Sequence, residues 1–176
     1  LEAQFNYQFD GGTLPAASEM PTFQCESVLE WEHTLGDGGE VERSYAVLQL
    51  AGNPGYTFGY LEPYFNTPAS QAAIHEIHHP AGQAKKVSDG VVMSTNSGWL
   101  EHDADDYSIS QGGPILDNQG RVVAVAVDGG CDDSQSTGNL AFLLEAVPSD
   151  SFLLSHDWFN SDAVEQAEDN DAFGSA

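Results

Sequence analysis

The sequence predicts an all-β protein, on three observations. Glycine is frequent, at 18 of 176 residues. Short runs of alternating or compact apolar residues recur along the chain, each closed by turn-forming residues. Two of these runs are joined by Asp117-Asn118-Gln119-Gly120, a hairpin connection. Many short strands at regular spacing indicate a barrel or a sandwich.

Taken in order, Phe5–Phe9 alternates and ends at Asp10-Gly11-Gly12, a turn. Ser27–His33 alternates again and is closed by Gly36-Asp37-Gly38-Gly39. Tyr45–Leu50 is compact and apolar, and Val87–Met93, Pro114–Leu116, Arg121–Val127 and Leu140–Leu144 read as further strands. Ser149 or Asp150 can cap a short helix over Phe152–Phe159. From Asn160 to Asp171 the chain is acidic and poor in large apolar groups, which suits a solvated tail. The expected organisation is 1–66, 67–148 and a helix with acidic tail over 149–176.

Composition narrows the function. At 40% hydrophobic residues the chain can bury a sizeable core. Four basic residues (Arg43, Lys85, Lys86 and Arg121) stand against 28 acidic ones, for a net charge of −24. That field repels phosphate, so nucleic acid is not an expected partner, nor is insertion into a membrane. A solvated acidic surface is the simplest account of the charge. No run of 18 apolar residues is present, and the start at Leu1 has no apolar leader segment. A mature secreted or periplasmic product is expected. Cys25 and Cys131 allow one disulfide without requiring it.

Ile77-His78-His79-Pro80-Ala81-Gly82-Gln83-Ala84-Lys85-Lys86-Val87-Ser88 resembles the Ile-His-His-Pro-x-Gly-x-x-Lys-Lys-Ile-Ser segment of the lysyl endopeptidase group of trypsin-like serine proteases. Three other segments resemble that group in the same order. Phe5-Asn6-Tyr7-Gln8 with Cys25 matches the segment after its catalytic histidine. Arg43–Leu50 matches the strand that carries its aspartate, and Ser110-Gln111-Gly112-Gly113-Pro114-Ile115-Leu116 matches its nucleophile loop. The resemblance covers roughly residues 4 to 146. It implies a chymotrypsin-like double β-barrel, with the first barrel incomplete in this chain.

The family's chemistry needs a serine nucleophile, a histidine base and an orienting aspartate. On this alignment the nucleophile position is Gln111, whose amide cannot form an acyl-enzyme. The aspartate position is Ser44, a neutral hydroxyl, and the glycine two residues before the nucleophile is replaced by Ile109. The family histidine corresponds to a position upstream of Leu1. A one-residue shift would make Ser110 the nucleophile instead. Asp105, six residues before Gln111, stands where related enzymes place the acid that reads a basic substrate residue. Together with Gly112 and Gly113 it is a candidate for peptide binding. The resemblance also implies that Cys25 and Cys131 bridge to an N-terminal fragment of the same precursor, making a two-chain protein. Pairing of the two with each other, or buried free thiols, are the alternatives.

Two other constellations compete. His75-Glu76-Ile77-His78-His79 matches the H-E-x-x-H pattern, in which two histidines one helical turn apart bind zinc, and Glu101 or His102 could add a third ligand. Pro80 opposes a helix there. His102-Asp103 with Ser108 or Ser110 could form a relocated triad, although spacing alone carries little weight. Trp31, Trp99 and Trp158 read as core or interface residues. The resulting expectation is a catalytically inactive protease homologue acting as a binding or structural subunit, without cofactor or metal. Its partner would be its own N-terminal fragment or another protein subunit. An active endopeptidase with displaced groups, or a zinc peptidase, are the alternatives.

Overall fold

The computed structural model describes residues 1–35, 41–107, 110–128 and 138–155. Its elements are almost entirely strands, as the alternating runs predict. β1 (Glu2–Gln4), β2 (Thr22–Leu35) and β3 (Val41–Leu50) form an antiparallel three-stranded sheet in the order β1-β2-β3. A short helix, α1 (Gly55–Phe58), follows. β4 (Ala73–His78), β5 (Lys86–Asn96), β6 (Trp99–His102), β7 (Pro114–Asp117), β8 (Val122–Asp128) and β9 (Asn139–Leu143) close into a barrel in the order β4-β5-β6-β9-β8-β7. α2 (Phe152–Ser155) lies where the C-terminal helix was expected, and the rest of that stretch is outside the described residues.

One expectation needs correction. The first strand is Glu2–Gln4 and not Phe5–Phe9. Asn6 adopts φ 62°, in the left-handed region, which ends the extended run. The turn after it is present, with Asp10 and Thr13 bridging across Gly11 and Gly12. The H-E-x-x-H segment is strand β4 and the start of the turn after it, so the competing helical arrangement of His75 and His79 is not formed. The sequence reading assigned no element to Trp99–His102, which is β6. The Gly36–Gly39 turn lies outside the described residues.

The barrel carries the core. Ile74, Val92, Leu100, Ile115, Val123 and Phe142 are at most 1% exposed. Small residues Ala104, Ala124, Ala126 and Ala141 fill the space between them. Alternation along β4 is complete: Ile74, Glu76 and His78 point inward, and Ala73, His75 and Ile77 outward. The sheet meets the barrel through Tyr45, whose ring stacks on Phe142 at 5.6 Å. Glu30 on β2 ties in the C-terminal turn. Its carboxylate accepts hydrogen bonds from the Tyr45 hydroxyl, from Ser151 Oγ at 2.9 Å and from the Phe152 N–H at 2.6 Å. Val28 and Trp31 on β2 are exposed.

The β7–β8 hairpin is locked by Asp117. Its carboxylate accepts from the N–H groups of Gln119 and Arg121, both at 2.9 Å, and from the Arg121 guanidinium at 2.6 Å. Burial raises the Asp117 pKa, but these donors outweigh it and hold the pKa below the usual carboxylate value. A depressed folded pKa adds stability above the unfolded pKa and loses it as pH falls through the folded one. Asp117→Ala is therefore expected to cost about 1–2 kcal/mol at neutral pH. The deficit should shrink to near zero in acid, as read from urea unfolding at both pH values.

Candidate functional site

Three local features bring a group of polar side chains together at one end of the barrel. The first is β4, whose inward face carries Glu76 and His78 two residues apart. The second is the stretch after β6. Gly90 lies in mid-β5, and a Cβ there would sit 2.4 Å from the Ala104 nitrogen, so only glycine lets this stretch cross β5. Asp103 accepts the Val91 N–H at 2.6 Å, and Asn139 donates to the Ala104 carbonyl at 2.6 Å. Asp106 is thereby delivered to the β4 face. The third is the turn before β7, where Gly113 N–H donates to the Ser110 carbonyl at 3.1 Å. A Cβ on Gly113 would lie 2.7 Å from the Ile77 carbonyl, so this turn too depends on a bare backbone.

The outcome is a buried cluster of Glu76, His78, Asp106 and Ser110, none more than 5% exposed. His78 Nδ1 lies 3.0 Å from Ser110 Oγ, 3.3 Å from Asp106 Oδ1 and 3.7 Å from Glu76 Oε1. Ser110 Oγ donates to the Tyr107 carbonyl at 2.7 Å, and Asp106 Oδ1 accepts the Tyr107 N–H at 2.6 Å. Ser110 and Asp106 thus meet the same ring nitrogen. A proton relay needs them on opposite nitrogens, so the trio does not have triad geometry.

Glu76 is fully buried, and neither of its carboxylate oxygens has a hydrogen-bond partner. Burial, and secondarily the charges of Asp106 and Asp105, push its pKa up to about 8. His102 is also fully buried with both ring nitrogens unpartnered. Its pKa is lowered by burial, against the opposing charges of Asp106 and Asp103.

The sequence-derived site residues are dispersed. Gln111 is exposed in the turn before β7. Ser44 lies on β3, opposite His33, and makes no described contact with Gln111. Gly112 N–H donates to the Ala126 carbonyl, and Ala126 N–H to the Gly113 carbonyl, both at 2.8 Å. The N–H groups of Gly112 and Gly113 are therefore already used within the protein. Asp105 is exposed and lines a cleft of about 350 Å³ with Asp106, His78, Lys86, Ser88 and Tyr107. Cys25 is a half-buried free thiol whose Sγ–H meets the Ser27 carbonyl at 3.4 Å. Cys131, Ser108, Ile109 and Trp158 lie outside the described residues. Sequence reasoning missed Glu76 and Asp106 as partners of His78. The period-two spacing of Ile74, Glu76 and His78 was the available signal, hidden by the four-residue spacing of His75 and His79.

Because the folded pKa of Glu76 lies above its unfolded value, the folded chain holds a proton that the unfolded chain releases between about pH 4.5 and about 8. Stability therefore falls as pH rises across that window. Glu76→Gln removes this slope, so in chelator-treated protein its stability relative to wild type is expected to climb from about pH 4.5 to about 8. Urea midpoints that run parallel for the two proteins would contradict this.

The family model of the trypsin-like peptidase domain matches residues 8–125, more than half of the chain. No curated protein matches the sequence significantly. Among solved structures, Rv3671c from M. tuberculosis H37Rv, a serine-to-alanine mutant in its inactive form, matches with a TM-score of 0.53 at 15% identity. That match covers 89% of this chain and 69% of the other. A Glu endopeptidase in complex with MPD gives a TM-score of 0.57 at 18% identity, over 77% of this chain and 66% of its own. The active form of the Rv3671c protease gives 0.51 at 17%, over 66% and 56%. At these identities the likeness is one of fold. Together with the sequence match and the closed six-stranded barrel, it leads to one assignment: the chain belongs to the trypsin-like peptidase domain family.

Proposed function

We propose that the chain is a catalytically inactive member of this family, nearest in kind to the lysyl endopeptidase group, that works as a binding or structural subunit. The observation that carries the reading is the turn before β7. The side chain at the nucleophile position is Gln111, exposed but without a hydroxyl. The neighbouring hydroxyl, Ser110, is 4% exposed and already donates to the Tyr107 carbonyl. Ser44, at the aspartate position, supplies no negative charge for an imidazolium.

The contact of Ser110 with His78 and Asp106 favours a second reading, an active serine endopeptidase with displaced groups. Against it, Ser110 and Asp106 share one nitrogen and the hydroxyl is turned inward. The zinc peptidase reading fits less well, because His75 is drawn outward to Asp89 at 2.6 Å and the segment is extended.

As a subunit, the protein offers two surfaces. Asp105 borders the 350 Å³ cleft and suits a lysine or arginine of a partner. Exposed Val28, Leu29 and Trp31 on β2, with Leu48 on β3, suit a second polypeptide. In this reading that polypeptide is an N-terminal fragment of the same precursor, disulfide-linked through Cys25 and Cys131, or another subunit, in a secreted or periplasmic setting.

The purified protein is expected to resist labelling by a serine-directed phosphonate and to show no turnover of lysyl or arginyl peptide substrates. Gln111→Ser is expected to leave it inactive, since Ser44 supplies no orienting carboxylate. Covalent labelling of Ser110 in the wild type, abolished by Ser110→Ala, would establish the second reading instead.

A further inference from the structure

We propose that Glu76, His78 and Asp106 form a buried binding site for one divalent transition-metal ion of the zinc class. One donor atom from each of the three side chains lies within 4.8 Å of the other two, and all three residues are buried. Two of the donor separations are compatible with a shared metal ion. Donors at the corners of a tetrahedron around zinc, bound at about 2.0–2.1 Å, lie about 3.3–3.4 Å apart. His78 Nδ1 is 3.3 Å from Asp106 Oδ1 and 3.7 Å from Glu76 Oε1. The second value is too long for a hydrogen bond and near a tetrahedral edge.

An independent observation calls for a ligand. Buried polar groups in folded proteins almost always have partners. Here a fully buried carboxylate has none on either oxygen. Ser88, which faces Glu76 across the β4–β5 ladder, also has a buried hydroxyl without a partner. An ion at this place would satisfy the carboxylate.

The donor set narrows the ion. One imidazole and two carboxylates, without sulfur, suit zinc or a close relative. Calcium takes six to eight oxygen ligands, more than three side chains supply here. Entry is available, since His78 and Asp106 line the cleft that opens to solvent. The ion would join β4 to the stretch after β6. This site is not the H-E-x-x-H arrangement. It takes only Glu76 and His78 from that segment, on the inward face, and leaves His75 and His79 outside.

The test uses the full chain, purified without a histidine tag and stripped with chelator. Titration with zinc by calorimetry is expected to give one equivalent, with a rise in Tm that grows with zinc concentration. Cobalt should bind at the same place with the intense visible absorption of tetrahedral coordination. Glu76→Gln and His78→Gln are each expected to weaken binding at least about 100-fold. His75→Gln should leave it unchanged. Circular dichroism of the stripped variants checks that Glu76→Gln remains folded, so that lost binding is not lost structure. No stoichiometric binding by the wild type would overturn the proposal. So would binding that survives both Glu76→Gln and His78→Gln, because the ion would then sit on exposed carboxylates.

Discussion

Closure of the six-stranded barrel is the constraint on which the rest depends. In an open sheet, one face can stay wet. In a closed barrel every second residue of each strand enters the interior, whatever its chemistry. On β4 that rule buries Ile74 without cost and buries Glu76 and His78 at considerable cost. The neighbouring strands and turns are arranged around that cost. Gly90 lets the stretch after β6 bring Asp106 within reach, and Gly113 lets the turn of Ser110 approach the β4 backbone.

The same constraint separates scaffold from chemistry. The barrel core of Ile74, Val92, Leu100, Ile115 and Val123 makes no use of the residues that a serine protease needs. A fold of this family can therefore persist while the nucleophile turn changes. Here Gly112 and Gly113 exchange hydrogen bonds with Ala126, so the turn is fastened to β8 through its own backbone. Ser110 fastens it to β4 through His78. Both ties hold the loop in place.

The three-stranded sheet illustrates a different balance. It has far less apolar surface to bury than the barrel does. It relies on Tyr45 stacking against Phe142 and on Glu30 gathering donors from Tyr45, Ser151 and Phe152. The Glu30 contacts are polar, worth less than core packing. The exposed Val28 and Trp31 on this sheet mark the part of the molecule most open to a second chain.

Much of the fold was legible from the sequence alone. Alternating or compact apolar runs located β2, β3, β5, β7, β8 and β9, because strand pattern and turn chemistry are local. The position of Gln111 before Gly112-Gly113-Pro114 was equally legible, since it depends only on order along the chain. The first strand was misplaced because a left-handed Asn6 leaves no mark in a hydropathy pattern. The polar cluster could not be read. His78 and Asp106 are 28 residues apart, and His78 and Ser110 are 32 apart. What joins them is the crossing over Gly90, the approach of Gly113 and the closing of the barrel. Those are contacts between distant strands, and only the tertiary structure decides which inward faces meet.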